Sequence, residues 1–318
     1  MNKVFWIDGG AGRVIAAIPA FLKYARLNPN ENWSIISAGW DSLYWGIPEL
    51  QDRTYSPDTK GVFDNVISKA DIVVAPEPYR NPAYFHQKIS LVEGFDREIN
   101  GSTDHSDLGI PHLVFNKGET KVALETIRQL KEQQKKSKTV IIQPFGRGAV
   151  PLAQNQQGQT VDVGDEESRS LSASAYLSLA KKLSLKYNLI FFGEPQFVLP
   201  QDQFAINYTT DLRQWAALIA NSDYFVGVDS VGQHMARAVG TPGTVIFGST
   251  FPVNTSYPDY FQIIEKPGVR KYSPIRLAGL DNMLANRLND KMMDFEEEQI
   301  NEIYKKIVAD IDLKGIKK

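Results

Sequence analysis

"FVGVDSVGQHMARAVGTPGTVIFGST", Phe225 to Thr250, holds two short apolar runs with a helical pattern between them. The first run ends at Asp229-Ser230, and a glycine and a histidine follow. Strand, tight turn, helix and second strand form the repeating unit of a parallel sheet. The turn itself has binding chemistry. If the helix begins near Ser230–Gly232, the amides of Val231, Gly232 and Gln233 point out of its N-terminus and form an anion site. Gly232 lets a phosphate approach the backbone, and Ser230 adds a hydroxyl. Asp229 can cap amides or bind a ligand hydroxyl. The same residues also read as a plain helix cap with His234 buried behind it.

The unit recurs along the chain. "KVFWID" (Lys3–Asp8), "WSIISAG" (Trp33–Gly39) and "DIVVAPEP" (Asp71–Pro78) read as strands in the first half. "VIAAIPAFLKYARL" has helical spacing, with Ile15, Ile18, Leu22 and Ala25 on one face. "ETKVALETIRQLKEQQKKSK" (Glu119–Lys138) is an amphipathic helix whose basic end closes that half. The second half has strands at "TVIIQPFG", "NLIFFGEP", "YFVGVD" and "GTVIFGS", and helices at "SASAYLSLAKKLSLKY" and "DLRQWAALIANS". A loop rich in Gly, Gln and Asp is expected up to Ser172, and "DFEEEQINEIYKKIVADI" is a last helix. The expectation is an α/β chain of two Rossmann-like lobes with parallel sheets facing a cleft. In such sheets, ligands bind at the C-terminal ends of the strands.

The bulk numbers agree with this and exclude other classes. A chain of 318 residues is long enough for two domains. A net charge of -2 gives no global basic footprint for nucleic acid. With no cysteine there is no disulfide, thiolate nucleophile or Cys-type zinc site. The histidines, 86, 105, 112 and 234, have no HxxxH or HExxH spacing, so no metal site is expected. No GxSxG or GxxxxGK[ST] occurs, which argues against an α/β-hydrolase and a P-loop NTPase. The chain enters a strand directly and has no run of 18 apolar residues, so a cytoplasmic protein without a transmembrane segment is expected.

Other strand ends carry candidate site residues. "IDGGAGR" puts Gly9, Gly10 and Gly12 between a strand and a helix, without the GxGxxG spacing of a dinucleotide turn. Asp8 stands at that strand's end, either facing the cleft or as a structural turn residue. "IQPFGRGA" offers Arg147 and "ESRSLSASAY" offers Arg169 before a helix that Ser172 or Ser174 can cap. A guanidinium suits bidentate phosphate binding. Glu194 in "FFGEP" is placed to hold ribose hydroxyls.

"DLRQWAALIANSDYFVGVDSVGQHMARAVGTPGTVIFGST" resembles the C-terminal signature of the heptosyltransferase-like glycosyltransferases, family 9. "GGAGRVIAAIPAF" is similar to the family's N-terminal glycine turn and helix, and "RSLSASAYLSLAKKL" and "LIFFGEP" fall in order between them. The likeness fades between Asn28 and Lys138. It implies the GT-B fold, with an acceptor lobe over 1–138, completed by a returning C-terminal helix at 294–318, and a donor lobe over 139–293. It implies that Ser230, Val231, Gly232 and Gln233 hold the diphosphate of a nucleotide-sugar, with Arg169 as a basic ligand and Glu194 near the ribose. It implies neither a cofactor nor a metal. One departure stands out. The family pattern G-x-G-D places an aspartate, proposed as the base, where this chain has Arg13. An arginine is no base. Asp8 is the first substitute and Asp41, in "AGWDSLYWG", the second, while Arg13 is left to bind an anionic acceptor group.

The expected activity is therefore sugar transfer with inversion, from a nucleoside-diphosphate sugar to a hydroxyl of a glycan or lipid-linked saccharide. Three alternatives stay open. These are transfer to modified bases of DNA, a nucleotide-sugar-binding protein that has lost its base, and a nucleotide-sugar epimerase.

Overall fold

Runs of β-branched and aromatic residues set the strands, and each sheet is wound from its first strand outward. The structure is a computed structural model of the chain. It describes residues 1–146, 148–158, 160–165, 168–193, 205–207, 211–271 and 292–314. The first half runs β1 (Asn2–Ile7), α1 (Ala11–Leu27), β2 (Asn32–Ser37), α2 (Pro48–Gln51), β3 (Thr54–Tyr55), α3 (Val62–Asn65), β4 (Ile72–Val74), α4 (Pro82–Phe85) and α5 (Leu91–Asn100). Its four strands are all parallel, in the order β3-β2-β1-β4. Helix α6 (Lys117–Gln134) leads into the second half. There follow β5 (Thr139–Gln143), β6 (Ala149–Gln154), β7 (Thr160–Asp165), α7 (Ala173–Ser184), β8 (Asn188–Phe191), β9 (Ala205–Asn207), α8 (Leu212–Asn221), β10 (Tyr224–Val228), α9 (Val231–Ala238), β11 (Gly243–Phe247), α10 (Pro252–Thr255), β12 (Gln262–Glu265) and α11 (Glu297–Lys314). Six parallel strands form the order β12-β11-β10-β5-β8-β9.

In both sheets the winding reverses beside the first strand, between β1 and β4 and between β5 and β10. A crevice opens at the C-terminal ends of such strand pairs, and ligands settle there. The residues that follow these four strands are therefore the ones placed for function: Asp8 to Gly10, Ala75 to Glu77, Pro144 to Gly146, and Asp229 to Ser230.

The core joins the lobes. One apolar cluster takes in Phe5, Ile15, Phe21 and Phe95 of the first half together with Ile141, Phe192, Trp215 and Met235 of the second. Helix α1 is buried on nearly every side, because it packs on its own sheet, on α5 and on α9. That explains its near-continuous apolar sequence. A second cluster lies on the other face of the larger sheet, between α7, Phe191 and α11.

Three expectations are corrected. The last helix does not return to the N-terminal lobe. Its apolar stripe, Ile300, Ile303, Ile307 and Ile311, packs into the second cluster against α7, and Asp310 accepts from the Tyr224 hydroxyl of β10. Helix α6, expected to close the first lobe, buries Ala123, Ile127 and Leu130 in the first cluster and packs on α8. The stretch expected as a loop up to Ser172 contains the antiparallel hairpin β6–β7.

Candidate functional site

The start of α9 is stitched to the neighbouring strand. Gln143, the last residue of β5, accepts from the Gly232 amide at 2.9 Å and donates to Ser230 Oγ at 3.3 Å. A Cβ on Gly232 would collide with Gln143 Oε1 and the Phe225 ring. The glycine is thus required by the sheet behind it, and its amide is taken. This corrects the expectation that the amide and open flank of Gly232 serve a phosphate. Gln233 is fully buried and donates through Nε2 to Asp229 Oδ1 (2.9 Å) and to the Thr255 carbonyl (3.0 Å). Ser230 and Val231, both half-buried, remain at the mouth of the helix.

Asp229 lies below that mouth, 4% exposed. Its Oδ1 accepts from Gln233 and its Oδ2 from Thr250 Oγ1 (2.7 Å), and Arg169 Nη1 lies 3.9 Å from the same Oδ2. Burial raises its pKa, and the Arg169 charge works against that rise. Its bonds to Gln233 and Thr250 hold the floor of the helix mouth together. Arg169 is presented by a local device. Asp165, the end of β7, accepts from the backbone amides of Arg169 (3.3 Å) and Ser170 (2.8 Å), while Ser170 Oγ accepts from the Gly146 amide at 2.8 Å. The guanidinium, one quarter exposed, thereby joins the loop after β5 to the start of α9. Arg147 and Glu194, the other donor-side candidates, lie outside the described residues.

The opposite side of the cleft is built on the turn after β1. Asp8 is half-exposed, at 52%, the most open carboxylate of the cluster it forms with Arg13 and Glu77. Gly9 follows with φ +87°, a left-handed conformation suited to glycine. Arg13 turns inward and is 5% exposed. Its Nη1 lies 3.2 Å from Glu77 Oε2 and 3.8 Å from Asp8 Oδ1, Nη2 donates to the Pro76 carbonyl at 3.1 Å, and the guanidinium rests on the rings of Tyr79 and Phe95. Both terminal nitrogens are thus turned toward groups of its own lobe, while the buried Nε has no hydrogen-bond partner among the described residues. Arg13 thereby fastens the turn after β1 to the turn after β4. Glu77, 18% exposed, was missed in the sequence. Only its place at the end of "DIVVAPEP", a strand-terminal acid like Asp8, signals it. Asp41 starts a single 3₁₀ turn (Asp41–Tyr44) and is half-buried. Its neighbour Trp40 donates from Nε1 to the Gly9 carbonyl at 2.9 Å, which sets this turn beside that of Asp8.

The two sides meet at His234. The ring is 6% exposed, and its Nδ1 is 2.9 Å from the Tyr257 hydroxyl. A Cβ built on Gly12 would lie 2.7 Å from its Cδ2, so the imidazole seats in the notch that this glycine leaves in α1. Burial, and then the Arg169 charge, holds the His234 pKa down at about 4, so the ring is neutral at pH 7. Arg13 and Glu77 from one lobe and Arg169 and Asp229 from the other all act electrostatically on the Tyr79 hydroxyl, whose pKa is raised chiefly by burial. The charges of both switch points thus converge on one place. Among the described residues, no group of three or more His, Cys, Asp or Glu gathers so as to hold a metal ion. No described helix is long and apolar enough to cross a membrane.

A family model described as glycosyltransferase family 9 (heptosyltransferase) matches residues 199–264, the segment from before β9 to β12. The glycosyl transferase family 9 structure from Veillonella parvula DSM 2008 superposes with a TM-score of 0.64 at 14% identity, covering 97% of each chain. Escherichia coli ADP-heptose LPS heptosyltransferase II gives 0.56 at 14%, over 96% of this chain and 99% of that one. The iron-containing dodecameric glycosyltransferase TibC from enterotoxigenic E. coli H10407 gives 0.61 at 12%, over 99% and 80%. No curated protein sequence matches. The fold is GT-B, shared with these glycosyltransferases over nearly the whole chain. The family match lies within the C-terminal lobe, where the chain is similar to glycosyltransferase family 9 (heptosyltransferase).

Proposed function

We propose that this chain transfers a sugar from a nucleoside-diphosphate donor to a hydroxyl of a glycan or lipid-linked saccharide, with inversion at the anomeric carbon. One observation carries the reading most directly. Helix α9 meets the glycine turn after β1 where His234 seats against Gly12, and the charges Arg169 and Asp229 of one lobe and Arg13 and Glu77 of the other act together on Tyr79. The donor diphosphate is assigned to Ser230, Val231 and Arg169, where the helix dipole and a guanidinium meet the charge of the leaving group. TibC has been solved in complex with ADP-D-β-D-heptose, which supports a nucleotide-sugar donor for this fold. Asp8 is the proposed base, being the exposed carboxylate at the strand end. Arg13, fastened to Glu77 and Pro76, fixes the turn that carries it. In a single displacement, Asp8 takes the proton of the acceptor hydroxyl, its oxygen attacks the anomeric carbon, and the nucleoside diphosphate leaves.

The acceptor side also bears on the substrate class. Asp8 and Glu77 flank one buried arginine, and this acidic surround favours a neutral saccharide hydroxyl over a polyanionic strand of DNA. The test is release of nucleoside diphosphate from a panel of nucleotide-sugars, with and without saccharide acceptors and with divalent ions added or chelated. Turnover that requires an acceptor and is lost in Asp8→Asn supports the reading. Full turnover in Asp8→Asn removes Asp8 as base. Donor binding without turnover, under any of these conditions, favours a nucleotide-sugar-binding protein instead.

A further inference from the structure

Arg213 is the second residue of α8, where the positive end of the helix dipole disfavours a cation. It is nonetheless 7% exposed. A guanidinium has five N–H groups in a rigid fork, and Arg213 makes five hydrogen bonds. Nε donates to Glu119 Oε1 (2.5 Å). Nη2 donates to Glu119 Oε2 (2.8 Å) and the Val114 carbonyl (2.7 Å), and Nη1 to the Ser42 (2.8 Å) and Trp45 (3.3 Å) carbonyls. One side chain of the C-terminal lobe thus grips the 3₁₀ turn of the N-terminal lobe, the connector before α6, and α6 itself. Glu119 is shared, since it also accepts from the Asn116 amide in the cap of α6 at 2.8 Å. The hydrogen bonds from Arg213 hold the Glu119 carboxyl below its usual range.

The contact chain continues toward the cleft. From Ser42 and Trp45 the backbone leads back to Trp40, whose indole donates to the Gly9 carbonyl. Gly9 is the neighbour of Asp8. We propose that Arg213 is a positioning residue. It fixes segment 40–46 against the donor lobe and, through Trp40 and Gly9, holds the Asp8 turn at the cleft. The functional half of this rests on the reading of Asp8 as base. The mechanical half does not. A lysine has neither the fork nor the reach to serve three segments at once.

The test uses full-length Arg213→Lys, Arg213→Gln, Trp40→Phe and the Arg213→Gln/Trp40→Phe double variant. Amide hydrogen exchange is expected to rise about tenfold or more over residues 38–47 in Arg213→Gln, and to stay unchanged over β10 and α9. In the transfer assay, kcat is expected to fall about tenfold and the acceptor KM to rise, with nucleoside-diphosphate affinity kept within about twofold. Arg213→Lys should not rescue. Trp40→Phe should lower kcat alike, and the double variant should be no worse than Arg213→Gln alone. Unchanged exchange over 38–47, or a kcat loss matched by an equal loss of diphosphate affinity, would overturn the proposal. If Arg213→Gln does not fold, Trp40→Phe and Glu119→Gln decide it by the same readouts. If the wild type shows no transfer, the proposed function fails while the exchange arm still decides whether Arg213 holds the turn.

Discussion

Gly12→Ala tests the junction of the two lobes more sharply than any change at the cleft rim. The new Cβ would lie 2.7 Å from His234 Cδ2 and 3.2 Å from Nε2. The ring cannot simply swing aside, because Tyr257 holds its Nδ1 and the site is buried. Overpacking a well-filled contact costs about 1–3 kcal/mol. Better helix propensity returns up to about 1 kcal/mol, and less than that in a first turn. The expected net is a destabilisation of about 1–2 kcal/mol. At about 2–4 °C per kcal/mol for a chain of this size class, the melting temperature should drop by about 2–8 °C. The neighbouring glycines supply controls. Gly10 has nothing within 4 Å of an added Cβ, so Gly10→Ala should change stability by less than about 0.5 kcal/mol. Gly9, at φ +87°, should lose about 1–2 kcal/mol on conversion to alanine through backbone strain alone. Urea and thermal denaturation of all three variants measure this. In a His234→Ala background, Gly12→Ala should add no further loss, because the obstructing ring is gone. Gly12→Ala melting with the wild type, or losing as much without His234 as with it, would refute the contact.

Three further outcomes are expected. Asp8→Asn should lower transfer by about 10²–10⁴-fold while leaving diphosphate affinity within about twofold, read by product release and calorimetry. Acid should destabilise the fold through His234. Its pKa is about 6.5 in the unfolded chain and about 4 in the folded one. As the pH falls from 6.5 to 4 the unfolded state gains a proton that the native state cannot take, so about 3 kcal/mol is lost over that window, and urea midpoints of His234→Gln should lack this slope. Asn254→Ala removes a fully buried amide that donates to the Tyr84 and Ile89 carbonyls across the lobes, and should cost about 1–3 kcal/mol by urea denaturation.

Most of the strands, the long helices and the resemblance of the C-terminal segment were legible in the sequence, because parallel strands buried on both faces read as continuous apolar runs. The hairpin β6–β7 escaped notice although "AVPLA" and "TVDVG" alternate, since its polar residues and Gly158 turn dominate the composition. The stripe of α11 announced a helix but not the sheet it covers, because an amphipathic face does not say which partner it meets. The glycine turn was recognised as a unit, and only the coordinates sort it, Gly9 by its backbone angle and Gly12 by a histidine 222 positions away. Arg13 was legible as a departure from the family pattern. Its inward course was not, because the acceptor that draws it in, Glu77, comes from another strand end.

The most direct measurement is calorimetric titration of the wild type and Arg169→Gln with ADP, GDP, UDP, CDP and dTDP and their sugar conjugates. The expected result is that one diphosphate binds the wild type and that its affinity falls about tenfold or more in Arg169→Gln, the loss of a charged hydrogen bond. Failure of every diphosphate to bind, or binding that Arg169→Gln leaves unchanged, would contradict a donor site at the start of α9.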